Sequence, residues 1–341
     1  MALIDDFRRS PVGNYRGGYL FVILCILGYV LLSIFFPPGP GLTSWTELFH
    51  RLLLGIPALL LCLLPSFDPV FQYLRENWDE KRSPFFFLLA ALGLIIFFHL
   101  LIGPWPSPWK ILLACLFLYL PFPVFSWIKK RSSIAAGWLG MLGYIVFLAW
   151  PPLKMVLIRP QGDLRLDLDL WFLLCLSACI LLFEHQLKFP IRYSWKMRGS
   201  DGLWVLAGGI ALFFLVVLPA QVIGFSDLLL RRRSLLGISI ALFAKTYLVA
   251  FSQEYLFRGV VFESLPKEGK WWKGIRGTIL VLLLSSLWFG ITHYLIGGWN
   301  YVILASLAGL VYGAIYMKTA RLAPAMVLHG LLDTAKYLFY G

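Results

Sequence analysis

Charge is scarce in this chain: of 341 residues only 14% are Asp, Glu, Lys or Arg, and 60% are hydrophobic. A soluble globular domain carries about 25% charged residues, so this balance excludes one and points to a chain built for a bilayer. Histidine is scarcer still, with 5 in all. Cysteine is absent after Cys179, which removes any thiol nucleophile from the last part of the sequence. Cys25, Cys62, Cys115, Cys175 and Cys179 all fall in apolar runs. Cys175 and Cys179 share a helix face but have no His or acid at metal-binding spacing, so all five read as small core residues. There is no internal repeat and no low-complexity linker. The first apolar run, 19–36, ends in Pro37-Pro38-Gly39-Pro40 without a small-residue cleavage site, so no secretory signal is expected. The His-Glu-x-x-His zinc helix is missing as well.

Long apolar runs are what the chain has instead. They cover 19–36, 48–65, 84–103, 109–128, 134–150, 170–184, 202–224, 238–262, 278–296, 300–318 and 322–340. A bilayer offers no water to unpaired backbone groups, and these runs are too long for barrel strands, so helices are expected. The predicted fold is an all-α polytopic membrane bundle of roughly nine to eleven spans. The net charge of +13 is no nucleic-acid signal, because Lys and Arg sit in the short loops. There they set orientation and contact anionic lipid. Arg8, Arg9 and Arg16, then Arg75, Lys81 and Arg82, then Lys129, Lys130 and Arg131 fall on alternate loops, which predicts a cytoplasmic N-terminus. Arg231, Arg232 and Arg233 break the alternation, suggesting an interfacial helix near 227–239 or a neighbouring span that does not cross.

Three late runs each carry a polar knot. Gln253-Glu254-x-x-x-Arg258-Gly259 puts a carboxylate and a guanidinium four residues apart on one helix face. Phe289-x-x-x-His293 closes the next run, and His329-x-x-x-Asp333 lies in the last. Each ionised group at mid-bilayer costs ~2.5–3.5 kcal/mol on insertion scales, so three such faces are expected to turn inward to one shared wet cavity. A lone Glu–Arg pair would be explained by helix pairing; three knots in sequence are not. Residues 1–225 carry no paired knot, which divides the chain into N-terminal helices of unassigned role and a polar-knot region, 226–341.

Glu-Glu-x-x-x-Arg, Phe-x-x-x-His and His-x-x-x-Asn/Asp on successive membrane helices is the pattern of the CPBP family, the CAAX proteases and bacteriocin-processing enzymes described as glutamic intramembrane proteases. This chain resembles that family over about its last third. The resemblance implies a CAAX-protease-like core at 226–341 and an endopeptidase acting on a membrane-associated or lipidated peptide, in a prokaryotic plasma membrane. It implies that Glu254 and His293 activate water, with Arg258 balancing the Glu254 charge, and that His329, positioned by Asp333, donates to the substrate carbonyl. The family is understood as metal-free, although Glu, His and His also suit a divalent metal. Gln253 stands where the family has its first glutamate, and glutamine cannot take a proton. Glu254 is then the remaining base in the first knot, or the protein does not cleave.

That last case is the first alternative, a non-catalytic self-immunity or scaffold protein on the same fold. A serine protease of rhomboid type would need Ser239 in Gly237-Ile238-Ser239, which sits near a span end beside the Arg cluster. A transporter would use Glu254, Arg258, His293 and Asp333 as a proton relay, without the inverted repeat such proteins carry. His50, His99 and the Glu184-His185 pair lie at or near span ends and are read as non-catalytic, the pair as interfacial.

Overall fold

The computed structural model describes residues 76–80, 82–102, 108–131, 180–187, 197–225, 234–262 and 274–339, with isolated residues between 23 and 74 and at 174, 177 and 178. The spans expected at 19–36, 48–65 and 134–150, the Arg231–Arg233 cluster and the loop after residue 262 lie largely or wholly outside these residues. The described residues are helical, with no strand among them. Three helices, Asp201–Val222, Leu235–Val261 and Gly297–Thr319, are long and apolar enough to cross a membrane. The protein is an integral membrane protein. The fold falls into two compact units, one within 18–189 and one within 190–341.

In the first unit, α1 (Arg82–Ile102) is followed by α2 (Pro108–Tyr119) and α3 (Pro121–Arg131). The run 109–128 was expected as one span. Pro121 lacks a backbone N–H and clashes with the preceding turn, which breaks it in two. The Leu181–Gln186 turn is π-helical. Its His185 is 0% exposed and stacks on Trp78 at 5.7 Å. Gln186 beside it donates to the Phe122 carbonyl at 2.7 Å.

The second unit holds α4 (Asp201–Val222), α5 (Leu235–Val261), α6 (Gly274–Ile291), α7 (Tyr294–Thr319) and α8 (Leu322–Phe339). α4 opens where Asp201 accepts from the Arg198 amide at 2.7 Å, and Arg321 at the head of α8 pairs with the same carboxylate. α5 opens at Ser234, whose hydroxyl accepts from the Gly237 amide at 3.1 Å in an ordinary N-cap. α6 and α7 are not two straight spans with a loop between 296 and 300. The chain turns at Thr292-His293, and α7 then bends at Gly297 and Gly298, where φ of +62° at Gly298 suits only glycine without strain.

Without a hydrophobic force between helices in lipid, close approach depends on small residues. A Cβ on Gly330 of α8 would collide with the Thr246 hydroxyl and come within 2.9 Å of its Cα on α5. Backbone cannot yield there, so Gly330→Ala is expected to push α8 from α5 and destabilise by ~1–3 kcal/mol. A thermal melt in detergent checks this. Gly202→Ala, where a Cβ meets nothing within 4 Å, is the neutral comparison.

Candidate active site

The second unit turns its polar residues inward because hydrocarbon offers them no partner. On α5 the four residues Phe251–Glu254 sit between two π-helical turns, Lys245–Ala250 and Tyr255–Val261. Glu254 and Arg258 are each 0% exposed. Arg258 Nε lies 3.1 Å from Glu254 Oε2, and Nη2 donates to the Gly309 carbonyl of α7 at 2.7 Å. Its Cζ is 5.1 Å from the Phe289 ring centre and 5.5 Å from that of Tyr312. Carboxylate, carbonyl and two ring faces thus replace the water this guanidinium has lost.

α8 supplies the next member. His329 Nδ1 lies 2.8 Å from Glu254 Oε1. An ionised carboxylate only accepts, so in this contact the proton is on Nδ1 and Nε2 is on the far side of the ring. Nε2 is 3.7 Å from Asp333 Oδ2, longer than a hydrogen bond. Tyr312 stacks on the imidazole at 4.7 Å with 12° between planes, and Phe289 meets it edge-on at 5.6 Å.

His293 occupies the joint between α6 and α7. A helix C-terminus leaves its last carbonyls without intrahelical donors. The Phe289 carbonyl takes two others: Thr292 Oγ1 at 2.7 Å and His293 Nδ1 at 2.8 Å. Because a carbonyl only accepts, the proton is on Nδ1 and Nε2 is the acceptor side of the ring. The Phe289 ring packs near both histidines, 4.7 Å from His293 and 5.6 Å from His329 by ring centres.

A cavity of 570 Å³ opens on this face, walled by α4, α6, α7 and α8. Its lining is mostly apolar, with Phe213 and Val216 of α4 among it, and its polar side chains are His293, His329, Tyr301 and Tyr312. Glu254 is not part of the lining and meets the cavity through His329. Gln253 is half-buried, with an Oε1 that has no hydrogen-bond partner. Among the described residues no group of three His, Cys, Asp or Glu is set to hold a metal ion. Ser239 is exposed and lines no part of the cavity.

The sequence singles out Gln253, Glu254, Arg258, His293, His329 and Asp333, of which the fold joins Glu254 to Arg258 and His329, sets Asp333 3.7 Å from His329, puts His293 on the same cavity as His329 and leaves Gln253 off its lining. It gave no sign of Gly309, whose contribution is a backbone carbonyl, or of Tyr312, one aromatic in an aromatic-rich chain. Neither a curated protein nor a solved structure matches the chain. Residues 234–335 match the family model described as type II CAAX prenyl endopeptidase Rce1-like. The three motifs, on α5, at the end of α6 with the joint that follows it, and on α8, all lie inside this matched segment, which is similar to the Rce1-like family.

Proposed function

We propose that the protein is an intramembrane endopeptidase that hydrolyses a peptide bond of a membrane-associated substrate with water activated in the α4–α8 cavity. The observation that carries this is the Glu254–His329 contact of 2.8 Å at the wall of an apolar cavity, with His293 on the same cavity. A carboxylate behind one imidazole nitrogen orients the ring and stabilises the imidazolium that forms when the other nitrogen takes a proton. In this reading Nε2 of His329 is the base, with Glu254 acting through it, and His293 holds the water. Arg258 fixes the Glu254 rotamer, and Asp333 receives the imidazolium on its far edge. The departure at Gln253 is then tolerable, since the essential carboxylate is the one that touches His329.

The apolar walls fit a lipidated or membrane-anchored peptide, and the Rce1-like match supports the same class. The chemistry is written without a metal. The alternating basic loops support a cytoplasmic N-terminus, and the family resemblance supports a prokaryotic plasma membrane.

The test is cleavage of labelled, membrane-anchored precursor peptides by the purified chain in liposomes. Cleavage that persists in strong chelators is expected, and loss on chelation with recovery on zinc would overturn the metal-free chemistry. Gln253→Glu is expected to be tolerated or mildly harmful, because adjacent carboxylates repel. Cleavage by that variant alone would favour the non-catalytic alternative.

A further inference from the structure

Resting on the protease reading above, we propose that the Tyr312 hydroxyl donates the hydrogen bond that stabilises the oxyanion. Hydrolysis places negative charge on the substrate carbonyl oxygen, and the site must aim a donor at it. The donors nearest the base are already committed. His329 Nδ1 faces Glu254, and Arg258 faces Glu254 and the Gly309 carbonyl. His293 Nδ1 faces the Phe289 carbonyl. Asp333, when ionised, only accepts.

Tyr312 is different. It is 1% exposed and lines the cavity, stacked on His329. Buried tyrosines normally spend the hydroxyl on a protein acceptor. This hydroxyl has no hydrogen-bond partner among the described residues, and it opens to the cavity rather than being sealed from it. It is therefore a donor held within one ring stack of the base, its hydrogen bond left unmade for an arriving substrate carbonyl. Tyr301, the other phenol at the cavity, packs instead against the His293 edge at 5.1 Å and against Phe225.

The step balances as follows. Water gives one proton to His329 Nε2 as its oxygen bonds to the carbonyl carbon. The carbonyl π pair moves to oxygen, which accepts the Tyr312 hydrogen bond. The oxyanion then collapses, the C–N bond breaks, and the leaving nitrogen takes the proton back from His329. Tyr312 keeps its proton throughout.

Tyr312→Phe keeps the ring stack and removes only the donor. Its kcat is expected to fall ~10²–10³-fold with KM unchanged, the effect typical of losing one oxyanion donor. The melting temperature should match wild type. A thioamide at the scissile bond gives a second handle that does not depend on how much variant is folded, because sulfur is a poor acceptor. The amide-to-thioamide rate ratio should be large for wild type and markedly smaller for Y312F. Equal ratios, or Y312F turnover within about threefold of wild type, would overturn the donor role and leave the protease reading intact. A wild-type protein that cleaves none of the precursors would sink both.

Discussion

Glu254→Gln is expected to lower kcat by ~10²–10⁴-fold, the usual worth of general-base assistance, and His329→Ala to lower it by a similar factor. The reason is that in the proposed mechanism the two side chains act as one unit across the 2.8 Å contact. Glutamine can still fill the space beside Arg258, but it brings no charge to meet the imidazolium. A dyad predicts strong non-additivity, so the double variant should be no slower than the worse single one. His293→Ala should cost at least as much as Glu254→Gln, since a water held by one ring instead of two loses its alignment. The measurement is single-turnover cleavage with each variant checked for folding by its melt. A folded Glu254→Gln protein with undiminished turnover would remove Glu254 from the chemistry, and additive losses would separate it from His329.

Arg258→Met carries the largest expected effect on stability. It deletes a cation that is 0% exposed and leaves the Glu254 carboxylate inside a membrane helix without its counter-charge, with the His329 N–H as its remaining partner among the described residues. Breaking a buried pair from one side typically costs ~3–5 kcal/mol, whereas replacing both partners by apolar groups is often neutral. The Gly309 carbonyl also loses its donor. Arg258→Met is therefore expected to unfold readily in detergent, and Arg258→Met with Glu254→Leu to recover much of the loss while staying inactive. Denaturation of the purified variants in mixed micelles reads this directly. A single variant as stable as wild type would mean that the guanidinium is not sealed from water.

How much of this was visible in the sequence depends on whether the signal was chemical or geometric. Glu254 with Arg258, and His329 with Asp333, stand out because an ionisable pair at i, i+4 in an apolar run has few bland explanations. The helical nature of the described runs follows from backbone satisfaction in a bilayer. Geometry was less legible. Gly309 acts through its carbonyl, which every residue has, and its identity matters because a side chain there would press on Ser286 at 3.1 Å. Tyr312 is marked only by the face it shares with His329 and by its unspent hydroxyl. α4 walls the cavity through Phe213 and Val216, apolar residues that look the same whether they face lipid or substrate. The π-helical turns of α5 shift the 3.6-residue register, so which side chains share its inner face cannot be counted off the sequence.

The most direct test of the central reading is the fate of a precursor peptide incubated with the purified protein in heavy-oxygen water and analysed by mass spectrometry. The expected result is cleavage at one bond within the membrane-anchored segment. The new carboxyl terminus should carry a heavy oxygen atom, and folded Glu254→Gln or His293→Ala protein should form that product at least ~10²-fold more slowly. Equal labelled product from wild type and both variants, or no product from wild type across all precursors, would contradict it.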